Sequence, residues 1–327
     1  MVPVIKVAVV GASGETGQSI INGLLGASDA KFEVKALTQP ESLSKPINAD
    51  LKSRGVEIVP VNLSGPQEKL VEVLTGIDVV ISAIFFGSLD DEIPLANAAK
   101  AARVKRFVQS AFMVVVPPRG VVDFREKKEE NFNHIQKIRL PYTYIDVGWW
   151  YQITLPRLPS GRLDYLRAAG QPSQPIGLDG NLPSALADIR DVGRYVANII
   201  ADPRTLNKKV HVFNEVHTQN EVYDLLESVS GGKLDREYIL EPEVKERIEQ
   251  ARLAVKGNQG DLSALGMLTV SQLSFSWEIR GDNTPENAAY LGYLNGKELY
   301  PELEFTTLKE YVIEALEGKG KGVYRGR

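Results

Sequence analysis

Seven residues, Val4-Ile5-Lys6-Val7-Ala8-Val9-Val10, run straight into Gly11-Ala12-Ser13-Gly14-Glu15-Thr16-Gly17, and a helical pattern opens directly behind them. The run is short, β-branched and nearly continuous in apolar character, which is how a strand buried on both faces reads. In a strand–loop–helix unit of this kind each glycine has a task. Gly11 permits the tight turn, Gly14 lets the backbone approach a pyrophosphate, and Gly17 allows close helix–strand packing. Exposed N–H groups at the helix start then receive the phosphate charge. The spacing is G-x-x-G-x-x-G rather than G-x-G-x-x-G. Its context favours a dinucleotide cradle over a plain glycine turn.

The same rhythm continues. Segments 32–37, 56–61, 78–83, 106–109 and 142–147 read as strands, and 17–25, 67–74, 92–102 and 124–139 as helices. Strands alternating with helices imply right-handed crossovers and a doubly wound parallel sheet. The character changes after Val147. An aromatic, Pro/Gly-rich stretch starts at Gly148-Trp149-Trp150-Tyr151 and runs to about Pro183. A helix near 190–200 and a strand near 210–213 then resume the α/β rhythm. Thr218 with Glu221, and Thr307 with Glu310, form capping boxes, and residues 241–275 read mostly helical. The expected organisation is a nucleotide-binding domain over 1–150. A smaller, mostly helical substrate domain is expected over 151–327, with some elements returning to the first sheet. The Gly-rich, basic tail 318–327 is expected to be mobile.

Composition removes other classes. The chain of 327 residues has 38 Lys+Arg against 42 Asp+Glu, a net charge of -4, so it lacks the cation surplus of a general nucleic-acid binder. Cysteine is absent and only three histidines are present. That leaves no disulfide, thiol nucleophile or Cys-ligated metal, and no His-rich metal cage is expected. No apolar run approaches the roughly 20 residues of a membrane helix. The N-terminus lacks the charged start and cleavable end of a signal peptide, so a cytoplasmic location is expected. A homo-oligomer remains open.

The second strand ends Ala36-Leu37-Thr38-Gln39-Pro40, with no acid to hold a ribose 2′-OH as NAD sites usually have. An uncharged end spares a 2′-phosphate the repulsion it would otherwise meet, so NADPH is the expected cofactor. Lys45 is either the phosphate's partner or a solvated loop lysine. Ala83, Ile84 and Ser110, at the ends of later strands, are expected beside the cofactor.

Several segments together carry a resemblance. Gly11–Gly17, Gly76-Ile77-Asp78-Val79-Val80-Ile81-Ser82, Arg106-Phe107-Val108-Gln109-Ser110 and Leu140-Pro141-Tyr142-Thr143-Tyr144 lie in the first half. Asp188-Ile189-Arg190-Asp191-Val192-Gly193-Arg194-Tyr195, Asp202-Pro203-Arg204-Thr205-Leu206-Asn207 and Gly281-Asp282-Asn283-Thr284-Pro285 lie in the second. The whole resembles the NmrA-like, isoflavone-reductase-like branch of the atypical short-chain dehydrogenases. The second half is most similar to fungal members, many of them implicated in secondary metabolism. The resemblance implies an NADPH-binding Rossmann domain and a smaller substrate domain over the nicotinamide. It also implies a lysine thirteen residues before the proline of the Leu-Pro-Tyr-Thr segment, which is Lys128 here, as acid/base or substrate anchor. This chain departs from the family pattern in three places: Ala111 stands where the family has Glu, Asn62 where it often has an acid, and Gln39 near an expected arginine. Tyr293 and Lys297 match the Tyr-x-x-x-Lys spacing of other short-chain dehydrogenases, but too late in the chain to serve that role.

Helix geometry tests Lys128 independently. Asp123 with Glu126 reads as an N-cap pair, placing the helix start near Phe124. At roughly 100° per residue, Phe124, Phe132, Ile135 and Ile138 form one apolar stripe. Lys128 lies within about 30° of its centre and Lys127 roughly 75° away. Glu129, Glu130, Asn133 and Lys137 face outward, and His134 falls on the outer flank as a surface histidine. A lysine on the inward face is costly unless it has a use; the bland alternative is a side chain snorkelling past the stripe.

Trp149, Trp150 and Tyr151 begin just past the sixth strand, where ligands of open α/β sheets bind. They are expected to wall a flat apolar substrate, extended by Phe85, Phe86 and Phe112. Ordinary core aromatics are the alternative. The expected function is an NADPH-dependent oxidoreductase that reduces a small, largely apolar, aromatic or polyketide-like compound. A rival is an NADP-binding redox sensor without turnover. Lys128 favours the enzyme, while Ala111 and Gln39 keep the rival open.

Overall fold

The computed structural model describes residues 4–167, 175–258 and 261–324. Its first strand, β1 (Val4–Val10), divides its side chains by parity. Val7 and Val9 enter one buried cluster and Ala8 and Val10 another, as the two-residue period of a strand requires. Strands β2 (Lys31–Thr38), β3 (Glu57–Pro60), β4 (Val79–Ser82), β5 (Arg106–Val108) and β6 (Tyr142–Val147) follow. Between them run helices α1 (Glu15–Leu25), α2 (Pro46–Ser53), α3 (Gln67–Leu74), α4 (Glu92–Ala101) and α5 (Asp123–Lys137).

These strands, with Lys208–Val212 and Tyr293–Asn295, form one eight-stranded parallel sheet. Its order is β3-β2-β1-β4-β5-β6, then Lys208–Val212, then Tyr293–Asn295. The winding reverses between β1 and β4, so this is a doubly wound fold with its switch point at their carboxyl ends. Ile20, Ile21 and Leu24 of α1 cover one face together with Val192, Val196 and Ile199 of the helix Ile189–Ala201. Leu70 and Leu74 of α3 and Leu95 and Ala98 of α4 cover the other.

After β6 the chain builds a small sheet from Trp149–Trp150, Ser184–Ala187 and Glu215–His217. Helices Gln219–Ser230, Glu241–Gly257, Leu262–Ser274 and Leu308–Leu316 complete this part. Both expected capping boxes form: Thr218 and Glu221 exchange bonds of 2.8 and 3.1 Å, Thr307 and Glu310 of 2.7 and 3.2 Å. Among the described residues no helix is long and apolar enough to cross a membrane.

Two local expectations are corrected. Helix α5 begins at Asp123, with Val122 in the cap position and no side-chain cap. The Glu126 carboxylate accepts from Gly120 N–H (2.8 Å) instead of reaching back to Asp123. The tail is largely exposed from Gly318 to Gly322 but is anchored at Val323 and Tyr324; residues 325–327 lie outside the described residues. Val323 is buried in the main core, Tyr324 N–H donates to Glu15 Oε1 (3.2 Å), and the Tyr324 ring stacks on Trp150. Apolar contact at Val323 outweighs the flexibility that the glycines suggested.

Candidate active site

At the switch point Gly11 has φ +79°, and a Cβ there would stand 2.1 Å from Ala83 O. A Cβ on Gly17 would stand 2.1 Å from Gly11 O. The loop can therefore lie against both the end of β4 and the first turn of α1 only because these residues are glycines. Gly14 occupies the N-cap of α1, and no side chain caps it. That leaves the start of the helix to satisfy an anion. A cradle of this shape, opening on a large cleft, fits a dinucleotide pyrophosphate.

The cleft encloses about 1100 Å³. Its wall includes Gly11, Ser13, Gly14, Glu15, Thr16 and Gly17 from the loop, Thr38, Gln39 and Lys45 beyond β2, and Ala83, Ile84 and Ser110 at the ends of β4 and β5. Every residue singled out for the cofactor thus faces one space. Gln39 and Lys45 stand at its exposed rim, Lys45 immediately before α2.

Lys128 lies on the same wall and is buried. Its ammonium donates to Ser110 O and sits 4.7 Å from the centre of the Phe124 ring, a cation–π contact. Among the described residues no carboxylate stands within ion-pairing distance. Burial pulls this ammonium down to about 8; the field of Glu92 opposes that pull and Arg125 adds to it. Arg125, three residues earlier on α5, is wholly buried. It donates to Asp146 (2.7 Å) and Val114 O (2.9 Å) and to Tyr144 OH. Glu129, expected to face outward, accepts from Tyr144 OH (2.7 Å) and lies 3.7 Å from Arg125, drawn inward by that guanidinium.

Glu92 was not anticipated. It opens α4 and looks in sequence like an ordinary acid in a helix's first turn, yet it is fully buried. Its carboxylate accepts from Ser110 N–H (2.7 Å) and from Asn131 (3.0 Å), and burial raises its proton affinity. An acid therefore does stand beside Ser110, but α4 supplies it, while Ala111 is packed in the core.

Phe85, Phe86, Phe112, Phe124, Trp149 and Trp150 all line the cleft. Phe85 and Phe86 contact each other at 4.3 Å, and Trp149 stacks on Trp277 at 5.4 Å. Phe112 holds φ +39°, a left-handed conformation that costs a non-glycine residue on the order of 1–3 kcal/mol; this turn aims its ring at the cleft. Tyr151 departs from expectation. It is fully buried in a separate core, stacked on Tyr311 and donating to Glu215 Oε2 (2.9 Å), because the helical turn Tyr151–Thr154 rotates it away from Trp150's side.

His134 contacts Asn97 (2.8 Å), and buried His211, held down to about 3 by desolvation, is a neutral core group. His217, which no sequence pattern marked, lines the cleft 3.6 Å from Glu215, whose carboxylate raises its proton affinity. Tyr293 donates to Asp146 (2.7 Å) in the core and Lys297 to Asn214 O (2.7 Å). Neither lines the cleft.

The profile of the NmrA-like family matches residues 4–312. The asnovolin J 5′,6′-dehydrogenase of Aspergillus novofumigatus is 55% identical over 96% of this chain and 96% of its own. A crystal structure of isoflavone reductase superposes with a TM-score of 0.76 at 26% identity, covering 95% of this chain and 99% of that one. The binary complex of leucoanthocyanidin reductase with NADPH from Vitis vinifera shares the fold, with a TM-score of 0.76, 22% identity and the same coverage. A glycine cradle at the switch point, a buried lysine on the wall of the same cleft and these likenesses along the whole chain lead to one assignment: the protein belongs to the NmrA-like family, as an oxidoreductase of its isoflavone-reductase-like branch.

Proposed function

We propose that the protein uses NADPH to reduce a largely apolar, aromatic or polyketide-like compound, with Lys128 holding the proton that balances the transfer. The observation that carries this is a buried ammonium, without an ion-pair partner among the described residues, on the wall that also bears the glycine cradle. When bound, the cofactor would supply hydride at the switch point. Residues 1–150 would then chiefly hold the cofactor and the later residues chiefly the substrate. Ser110 O fixes the Lys128 ammonium, and Glu92 fixes Ser110 in turn through its N–H. The phenylalanine and tryptophan rings exclude water and orient a flat compound.

The 55% relative is named a dehydrogenase, which favours the oxidative direction as a second reading of the same site. Lys128 would then accept the proton it otherwise gives. Both directions are tested by NADPH oxidation with aromatic ketones, quinones, enones and imines, and by NADP+ reduction with their reduced counterparts. Tight cofactor binding with no turnover in either direction would favour the non-catalytic sensor.

NADPH should bind about tenfold or more tightly than NADH. Thr38 and Gln39 put no negative charge at the end of β2, and Lys45 at the rim offers a positive one. Titration of both cofactors by intrinsic tryptophan fluorescence measures the ratio. Equal or reversed affinities would remove the role given to Gln39 and Lys45.

A further inference from the structure

The helix Leu262–Ser274 does not end at Ser274 but loosens into a π-helical turn, Phe275–Arg280, before closing at Gly281 in the left-handed region. π turns shift the phase of a helix and recur at functional sites. Here the shifted turn places Trp277 and Glu278 on the wall of the cleft. Trp277 stacks on Trp149. Glu278 is 3% exposed, and among the described residues its Oε1 meets no hydrogen-bond partner. Ser274, one turn back, is the hydrogen-bond partner of its side chain. Opposite the turn, a Cβ on Gly177 would lie 2.5 Å from Glu278 O and 2.6 Å from Glu278 Cβ, so only glycine at 177 lets this acid sit where it does.

We propose that the Glu278 carboxyl is a second polar anchor of the cleft, donating a hydrogen bond to a carbonyl oxygen of the substrate at a point separate from Lys128. This rests on the reading of the cleft as a substrate site and names the chemistry of its far end. A buried polar atom without a partner is costly, and a ligand oxygen relieves that cost. Val222, Leu273 and the Trp277 ring line the same cleft and offer apolar surface to the body of a flat compound whose carbonyl reaches Glu278. Burial pushes the Glu278 carboxyl up to about 8, and at neutral pH it therefore carries the proton it is to donate. Among the described residues, Arg247 of the helix Glu241–Gly257 and Tyr223 of the helix Gln219–Ser230 interact electrostatically with it, and His217 and Arg167 line the same cleft. Lys245 lies over the neighbouring Phe275 ring.

Flavanone and flavan, which differ by one carbonyl, serve as probes. Their affinities for the NADP+ complex are measured by calorimetry, so no turnover is needed and failure of the redox assays leaves this test intact. The wild type should prefer flavanone by about tenfold, the size of one well-made hydrogen bond. Glu278→Leu should abolish the preference, and Glu278→Gln, which keeps a donor, should retain most of it. Lys128→Met should leave it in place. Raising the pH through 8 should erase the preference in the wild type but not in Glu278→Gln, although Lys128 titrates over the same range in both. Melting temperatures check that the variants fold, and Glu278→Leu should be no less stable than wild type because it removes an unpaired polar atom. No preference in the wild type, an unchanged preference in Glu278→Leu, or its loss in Lys128→Met alone would overturn the assignment.

Discussion

Replacing Lys128 with methionine should lower turnover roughly 10²–10⁴-fold, the usual contribution of a general acid or base, while the fold and NADPH binding survive. Methionine keeps the length of the side chain and suits the Phe124 ring beneath it. It leaves Ser110 O without its donor, but it also removes a buried charge. Lys127→Met is the control. Lys127 is half-buried, lies off the cleft and pairs with Asp90 (2.7 Å) and Glu130 (3.4 Å), so its loss should cost several-fold at most.

The pH dependence separates a proton donor from a structural lysine. With its ammonium at about 8, Lys128 carries the donated proton below that value. The reductive kcat should fall as pH rises through 8, and the oxidative kcat should rise. Lys128→Met should show neither limb. Stability moves as well. The unfolded chain holds this proton up to the ordinary lysine range, so between about 8 and that range the unfolded state binds more protons and the wild type gains stability with rising pH. The methionine variant should lack this gain. Undiminished turnover in Lys128→Met would end the catalytic assignment, and equal loss in both variants would show that the loss is not specific to the lysine on the cleft.

That phase is legible in the sequence because α5 spans four turns, enough for Phe132, Ile135 and the other apolar positions to fix a face. Arg125 lies about 60° from Lys128 on the same wheel, so its burial follows from the same pattern once a partner is allowed for it; Asp146 lies too far along the chain to be read as that partner. Strand β1 is legible for a similar reason: its last four residues, Val7–Val10, are all apolar and all buried, while Val4–Lys6 emerge from the core. The strands Ser184–Ala187 and Glu215–His217 have too few residues to show any period, and their pairing hid His217's place on the cleft. Helix α2 starts at Pro46 and buries little beyond Asn48 and Leu51, so no apolar stripe announces it. Glu278 is hidden for a different reason: the π turn breaks the 100° step on which a helical wheel depends. Glu92 escapes because an acid in the first turn of a helix is ordinarily explained by the helix dipole alone.

Gly14→Val should weaken NADPH binding by about a hundredfold or more, ~3 kcal/mol, without unfolding the protein. The three loop glycines differ in what they allow. Gly11 is needed for its own backbone, at φ +79° and against Ala83 O, and Gly17 for its approach to Gly11 O. A side chain at either would disturb the fold and the cradle together. Gly14 has φ -77° and ψ 169°, extended backbone that valine adopts without strain. Nothing in the local conformation therefore requires glycine at 14, and the remaining reason is the space above it. Valine at an N-cap costs the helix on the order of 1 kcal/mol, which a chain of this size tolerates. Its two methyl groups would occupy the volume that the pyrophosphate needs at the start of α1. Equilibrium binding followed by NADPH fluorescence, with thermal melting to verify the fold, measures both effects. Undiminished binding in a folded Gly14→Val protein would mean that the phosphates lie elsewhere, and Lys128 would then face a cleft built for a different ligand.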